Sequence, residues 1–216
     1  MAAAITPETL LVFIANPNNP TGTLVGQEEI DRFIEALPDH VVAVFDEAYY
    51  EFLPEPPDTI KHVQAGKNVV VMRTFSKAQG LSALRIGYGM APAPIAGLLN
   101  RARQPFNANA IAQAAALASI QDEAHITATV ENNAHGVKFF ESAFAERGWE
   151  FVPSFANFVL VNVGDGDQVF QSLLKKGVIV RAMRGYKLPG WVRISIGTPE
   201  QNQRCLEELD LLLSSS

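Results

Sequence analysis

Three runs in the first third of the chain are apolar at every position: Leu10–Ala15 (LLVFIA), Val41–Phe45 (VVAVF) and Val69–Met72 (VVVM). A strand covered on one face alternates apolar and polar residues, whereas a parallel strand covered on both faces is apolar throughout. Between the first two runs, Ile30, Phe33, Ile34 and Leu37 fall at the i, i+3, i+4, i+7 spacing of an amphipathic helix, which predicts a helix over Gln27–Leu37. Strand, helix, strand at this spacing is a βαβ unit, normally right-handed. From about Pro94 to Arg147 the chain is alanine-rich and reads as helix, interrupted at Arg103–Asn107 because proline disfavours helical geometry in the residue before it. After Gly148 the pattern changes. Asn157–Val163, Val178–Met183 and Val192–Ile196 read as strands, Asp167–Lys176 as a short helix, and Pro199–Leu213 as a closing helix with proline in its first turn. The expected fold is α/β: a mostly parallel sheet over residues 1–147 with a long helical connection, then a smaller α+β domain over 148–216.

Each of the first three strands ends in polar residues: Asn16–Gly22 (NPNNPTG), Asp46-Glu47, and Arg73-Thr74-Phe75-Ser76-Lys77. In open α/β sheets ligands bind beyond the carboxyl ends of the strands, so these clusters are expected to converge on one pocket.

Composition narrows the function classes. Of 216 residues, 48% are hydrophobic and 19% charged, which excludes a disordered chain. Seventeen Lys and Arg against 23 Asp and Glu give a net charge of −6 with no basic run, so neither nucleic acid nor an anionic membrane is the expected partner. The single cysteine, Cys205, excludes a disulfide framework and fits a reducing compartment. Leu10–Ala15 is too short to span a membrane, and the N-terminus lacks the pattern of a signal peptide. The expectation is a soluble cytoplasmic protein. His40, His62, His125 and His135 have no metal-ligand spacing, so no metal is expected.

Among residues that could carry chemistry, Lys77 follows Ser76 just beyond a buried-type strand. An amine held at a sheet edge can be partly desolvated and made nucleophilic towards a carbonyl; the alternative is a solvated surface lysine. Asp46 at a strand end can fix a cation, a metal or a ring N–H, or cap a helix. The Asn16–Gly22 cluster offers side-chain amides on a rigid turn, or is a plain loop. Arg193 stands inside the apolar run Val192–Ile196, where an inward guanidinium needs an anion and an outward one does not. Arg181 ends Val178–Val180 in the same way, and Arg85 is a third cationic candidate.

Taken in order, FIANPNNPTGT (Phe13–Thr23), VVAVFDEAYYEF (Val41–Phe52), TFSKAQGLSALRIGYG (Thr74–Gly89), RQPFNAN (Arg103–Asn109), ANFVLV (Ala156–Val161) and VIVRAM…GYKLPGWVRISIG (Val178–Gly197) span nearly the whole chain. This ordered set resembles the fold-type I pyridoxal-phosphate-dependent aminotransferases of classes I and II, most closely the histidinol-phosphate type. The resemblance implies that Lys77 binds pyridoxal 5'-phosphate covalently and, once released, moves a proton as base and acid. It implies that Asp46 pairs with the pyridine N–H, that Asn19 and Tyr49 hydrogen-bond the ring oxygen, and that Thr74, Ser76 and Arg85 hold the phosphate. Arg193, with Arg181 beside it, would bind the substrate's anionic end, with Asn157 at the substrate. A cis Asn19–Pro20 bond is also implied. Ala182 stands where the family usually has proline.

The implied reaction moves an amino group between histidinol phosphate and 2-oxoglutarate in histidine biosynthesis, in a homodimer. An aromatic or other amino-acid aminotransferase is the alternative enzyme. The match begins at the family's later strands, so a truncated chain is expected, with an uncovered apolar sheet face or an unpaired edge. A non-catalytic fragment that needs a partner chain is the reading from a different class.

Overall fold

The computed structural model describes residues 1–214. The chain forms two compact units: residues 1–17 with 24–126, and 18–23 with the chain from 127 onward.

In the first unit β1 (Leu11–Ala15), α1 (Gln27–Glu35), β2 (Val42–Asp46), α2 (Ile60–Gln64), β3 (Val69–Thr74) and β4 (Gly87–Met90) build a four-stranded sheet in the order β1-β2-β3-β4. The first three strands are parallel, and β4 runs antiparallel to β3. Ala15 lies opposite Asp46, and Asp46 opposite Met72, so β1 and β2 finish level and β3 runs on to Thr74 at the same edge of the sheet. α1 buries Ile30 and Ile34 against Ala43, Phe45, Val69 and Val71. Full burial of each isoleucine contributes about 1.5–3 kcal/mol. The helix ends at Glu35, before the predicted Leu37, because Pro38 disfavours helical geometry in the residue preceding it.

The opposite face of this sheet carries Leu11, Phe13, Val42, Val44, Val70 and Met72, with Leu98 and Leu99 nearby. Leu11 and Phe13 on edge strand β1 are 54% and 65% exposed, whereas Val44 and Val70 further into the sheet are buried, so exposure on this face is greatest at its edge.

β4 was not legible as a strand. Its sequence, GYGM, has glycine at two of four positions. Gly87 pairs with Thr74, and a Cβ there would stand 2.7 Å from the Arg73 carbonyl oxygen, so only glycine permits this approach. Three helices follow: α3 (Ala93–Ala102), α4 (Ala110–Ile120) and α5 (Glu123–Glu146). The first break falls at the expected Arg103–Asn107. The second, at Gln121-Asp122, has no proline or glycine to announce it; Asp122 Oδ1 accepts the His125 N–H there.

The second unit holds most of α5 with β5 (Phe151–Val152), β6 (Phe158–Asn162), α6 (Gly166–Lys175), β7 (Arg181–Ala182), β8 (Trp191–Ser195) and α7 (Pro199–Leu213). Its sheet is antiparallel, in the order β5-β6-β8-β7. Phe140 and Phe144 of α5 pack with Val159, Val161, Val192, Ile194, Leu173, Leu206 and Leu209. That buried face ties α5 to this unit, so Gly148 is a turn inside it. A capping box between Thr198 and Gln201 starts α7.

The predicted strand Val178–Met183 shortens to β7. α6 closes with Gly177 in the left-handed region, the Gly177 N–H on the Leu174 carbonyl and the Val178 N–H on the Leu173 carbonyl. These are the two bonds of a Schellman cap, and they take Val178 out of the ladder. Residues 18–23 join this unit through the Phe155 N–H, which donates to the Gly22 carbonyl at 2.8 Å. Among the described residues no helix is long and apolar enough to cross a membrane.

Candidate active site

The sequence-predicted site residues fall into two groups, one in each unit. Asp46, Tyr49, Thr74, Ser76, Lys77 and Arg85 belong to the first; Asn19, Asn157, Arg181 and Arg193 belong to the second.

In the first unit, β2 and β3 are neighbouring parallel strands, about 4.8 Å apart, that deliver their following residues to the same sheet edge. Asp46 is the exposed last residue of β2. Its Oδ1 accepts the Ala48 N–H at 3.1 Å, which turns the chain and buries Tyr49, 5% exposed. Thr74 ends β3, and its Oγ1 accepts the Ser76 N–H at 3.1 Å. Phe75 and Ala78 are buried on either side of Ser76-Lys77 and anchor that segment. The Lys77 Nζ stands 5.3 Å from the centroid of the Tyr49 ring, within cation–π range. The Gly80 N–H closes the turn on the Lys77 carbonyl at 3.0 Å, and a His125 ring nitrogen lies 3.2 Å from the Ala78 carbonyl.

Arg85 reaches the same segment from a left-handed backbone position, φ 52°. Its Nη1 donates to the Ser82 carbonyl at 2.8 Å and lies 3.4 Å from Ser76 Oγ. A non-glycine residue in this region carries strain, and such strain clusters at functional sites. Two hydroxyls and a guanidinium on one turn suit an anion. With a primary amine on the same turn and a carboxylate on the adjacent strand end, the set suits a small molecule joining an anionic group to a carbonyl carbon.

A buried ion pair, not singled out in the sequence, lies alongside. The Glu47 N–H donates to the Met72 carbonyl at 2.9 Å, extending the β2–β3 ladder past Asp46. Arg73 Nε and Nη2 both lie 2.9 Å from Glu47 Oε2, with the two side chains 11% and 4% exposed. Arg73 also stacks on the Tyr50 ring, 3.3 Å from its centroid. Burial pushes the Glu47 carboxyl up, against the opposing pull of the Thr59 hydrogen bond and the Arg73 charge. The available signal was the adjacency itself: opposite charges at the ends of two neighbouring strands, Glu47 just after β2 and Arg73 next to last in β3.

In the second unit Asn19 precedes Pro20 through a cis bond, as expected; Asn16–Pro17, in the first unit, is cis as well. Asn19 Oδ1 accepts from Arg193 Nη1. The Arg193 guanidinium also lies 4.7 Å from the Phe158 ring centroid. Arg181 is directly opposite Arg193 in the β7–β8 ladder, exposed, and 6.0 Å from the Tyr186 ring centroid. Two arginines paired across one ladder repel unless an anion lies between or beside them. Asn157 enters β6 half-buried, its carbonyl accepting the Ile196 N–H at 3.0 Å. The amide of Asn16, in the first unit, bonds both backbone groups of Val25, which closes the Asn-Pro loop at its base.

Comparison with known proteins gives a consistent result. The chain is 59% identical over 211 residues to a histidinol-phosphate aminotransferase of Akkermansia muciniphila, covering 98% of this chain and 58% of that protein. It is 50% identical over 222 residues to histidinol-phosphate aminotransferase 2 of Ralstonia nicotianae, covering 100% of this chain and 59% of that one. The chain thus spans under two thirds of the length of these relatives. The crystal structure of histidinol-phosphate aminotransferase from Sinorhizobium meliloti in complex with pyridoxal-5'-phosphate superposes with a TM-score of 0.81 at 28% identity, covering 95% of this chain and 58% of that one. A family profile described as aminotransferase class I and II matches residues 1–209, nearly the whole sequence, and the chain belongs to that family.

Proposed function

We propose that this chain carries the cofactor-anchoring and substrate-anion residues of a pyridoxal-phosphate-dependent aminotransferase of the histidinol-phosphate type. The observation that carries the reading is the Lys77 amine 5.3 Å from the buried Tyr49 ring, on a turn next to the strand end that bears Asp46. Asp46 would hold the ring nitrogen, Tyr49 and Asn19 the ring oxygen, and Thr74, Ser76 and Arg85 the phosphate; the hydroxyl and guanidinium donors on that turn fit such a group. When bound, pyridoxal phosphate supplies an electron-accepting ring conjugated to the substrate's α-carbon.

The chain's own contribution is placement and proton handling. Asp46, as a carboxylate, favours a protonated ring nitrogen. Lys77, on a turn anchored by buried Phe75 and Ala78, would take the proton from the substrate's α-carbon at Nζ and deliver it to the carbon on the far side of the transferring nitrogen, as general base and then general acid. Tyr49, buried in the turn after Asp46, limits where that amine can stand. Arg193 and Arg181 would bind the anionic end of both amino donor and 2-oxo acid acceptor. Their pairing across one ladder favours a doubly charged phosphate, which supports histidinol phosphate as donor, as does the name carried by the relative at 59% identity.

The test is borohydride reduction of the purified chain with pyridoxal phosphate, followed by peptide mass mapping. The expected product is a pyridoxyl group on Lys77. Label spread over surface lysines with none preferred would remove the proposal.

A further inference from the structure

Beyond Lys77 itself, the turn that carries it is held from the side by a polar tie with no assigned purpose. Gln79 Nε2 donates to Glu51 Oε1 at 3.1 Å. Glu51 lies two residues after Tyr49, and Gln79 two residues after Lys77. The segments 49–51 and 77–79 are therefore joined by two rungs: Lys77 over Tyr49 at one end, Gln79 on Glu51 at the other. Ala78, 1% exposed, is packed between the rungs on the lysine side, and the Gly80 N–H fixes the far end of the turn to the Lys77 carbonyl.

The second rung is costly. Glu51 Oε2 and Gln79 Oε1 are both buried without a hydrogen-bond partner. A buried acceptor left unsatisfied loses its water without replacement, and an apolar pair of similar shape would join the segments more cheaply. A tie of that cost at the edge of a site points to placement.

We propose that Glu51 and Gln79 are positioning residues that set where the Lys77 amine stands over Tyr49. This rests on reading Lys77 as the amine that takes the cofactor. The lysine side chain is long and has four rotatable bonds, so its reach is defined only as well as its backbone is held. The Glu51–Gln79 rung fixes the backbone two residues beyond Lys77 against the segment that supplies the Tyr49 ring.

The experiment uses the full chain as wild type, Glu51→Ala, Gln79→Ala and Glu51→Gln. Amide hydrogen exchange over residues 77–81 is measured without cofactor, and the rate at which Lys77 becomes borohydride-trappable is measured with pyridoxal phosphate. Losing one part-buried hydrogen bond predicts about tenfold faster exchange and about tenfold slower trapping in both alanine variants. Glu51→Gln keeps an oxygen for Gln79 Nε2 and adds an N–H2 for a buried acceptor, so it should rescue both readouts to within about twofold of wild type. Alanine variants that exchange and trap like wild type, or a Glu51→Gln variant as impaired as Glu51→Ala, overturn the positioning role. A wild-type chain that takes no cofactor on Lys77 overturns the functional reading, and the positioning role with it. Normal wild-type trapping with unchanged variants overturns the positioning role alone.

Discussion

Arg85 offers a test in which stability and binding should move apart. Its backbone is left-handed, φ 52° and ψ 54°, while its guanidinium reaches Ser76 Oγ and the Ser82 carbonyl. Arg85→Ala removes the guanidinium and keeps the strained backbone. Arg85→Gly removes both. An L-residue in this conformation pays about 1–2 kcal/mol. Glycine avoids that cost but loses about 0.4–1 kcal/mol through a freer unfolded chain. The glycine variant should therefore be more stable than the alanine variant, by up to about 1.5 kcal/mol from these two figures. Binding should follow the side chain instead. A charge-assisted hydrogen bond is worth about 1.5–3 kcal/mol, and the lower end applies because Arg85 is exposed. Both variants should then bind pyridoxal phosphate about tenfold more weakly than wild type. Urea unfolding gives the first comparison, and absorbance titrations with pyridoxal phosphate and with phosphate-free pyridoxal give the second. If the glycine variant is the less stable one, strain is not what the left-handed turn costs. If pyridoxal loses as much affinity as its phosphate, Arg85 does not hold that group.

Replacing Arg73 by Met strands the Glu47 carboxylate, 4% exposed, and should destabilise the chain by about 3–5 kcal/mol in urea unfolding. Adding Glu47→Leu should restore most of that loss, and simple additivity would disprove the coupling. The Asp31 carboxyl is held at about 2, below its usual 3.8, chiefly by the Lys61 hydrogen bond, with Gln27 and His62 assisting against desolvation. A depressed carboxylate stabilises the fold above pH 3.8, and that contribution is lost as pH falls towards 2, so Asp31→Asn should flatten the unfolding midpoint against pH in that window. Burial pushes the Cys205 thiol up to about 11, so iodoacetamide at pH 8 should leave it untouched in the folded chain and modify it fully in urea.

What could be read from the sequence followed one physical divide. β1, β2 and β3 are apolar on both faces, and α1 carries a clean apolar stripe, so burial patterning placed them within a residue or two. Lys77, Asp46 and Arg193 stood out because each is a charge at or inside such a run. β4 stayed hidden because glycine has no side chain with which to signal burial, and its strand exists through a backbone approach to Arg73. β7 was overestimated because the helix cap at Gly177 claims the Val178 N–H, a tertiary detail that apolarity cannot encode. The Glu47–Arg73 pair and the Glu51–Gln79 rung depend on which strand ends are neighbours, and a linear pattern does not state that.

The six-residue excursion of the N-terminal chain into the second unit bears on protein engineering. A chimaera made by cutting α5 at Ile126 and grafting everything after it onto another scaffold would leave Asn18–Thr23 behind. The transplanted piece would lack the acceptor for Arg193 Nη1 and the carbonyl that receives the Phe155 N–H. Recombination among relatives should therefore exchange that loop together with the C-terminal segment, as one inherited block separated in sequence by about a hundred residues.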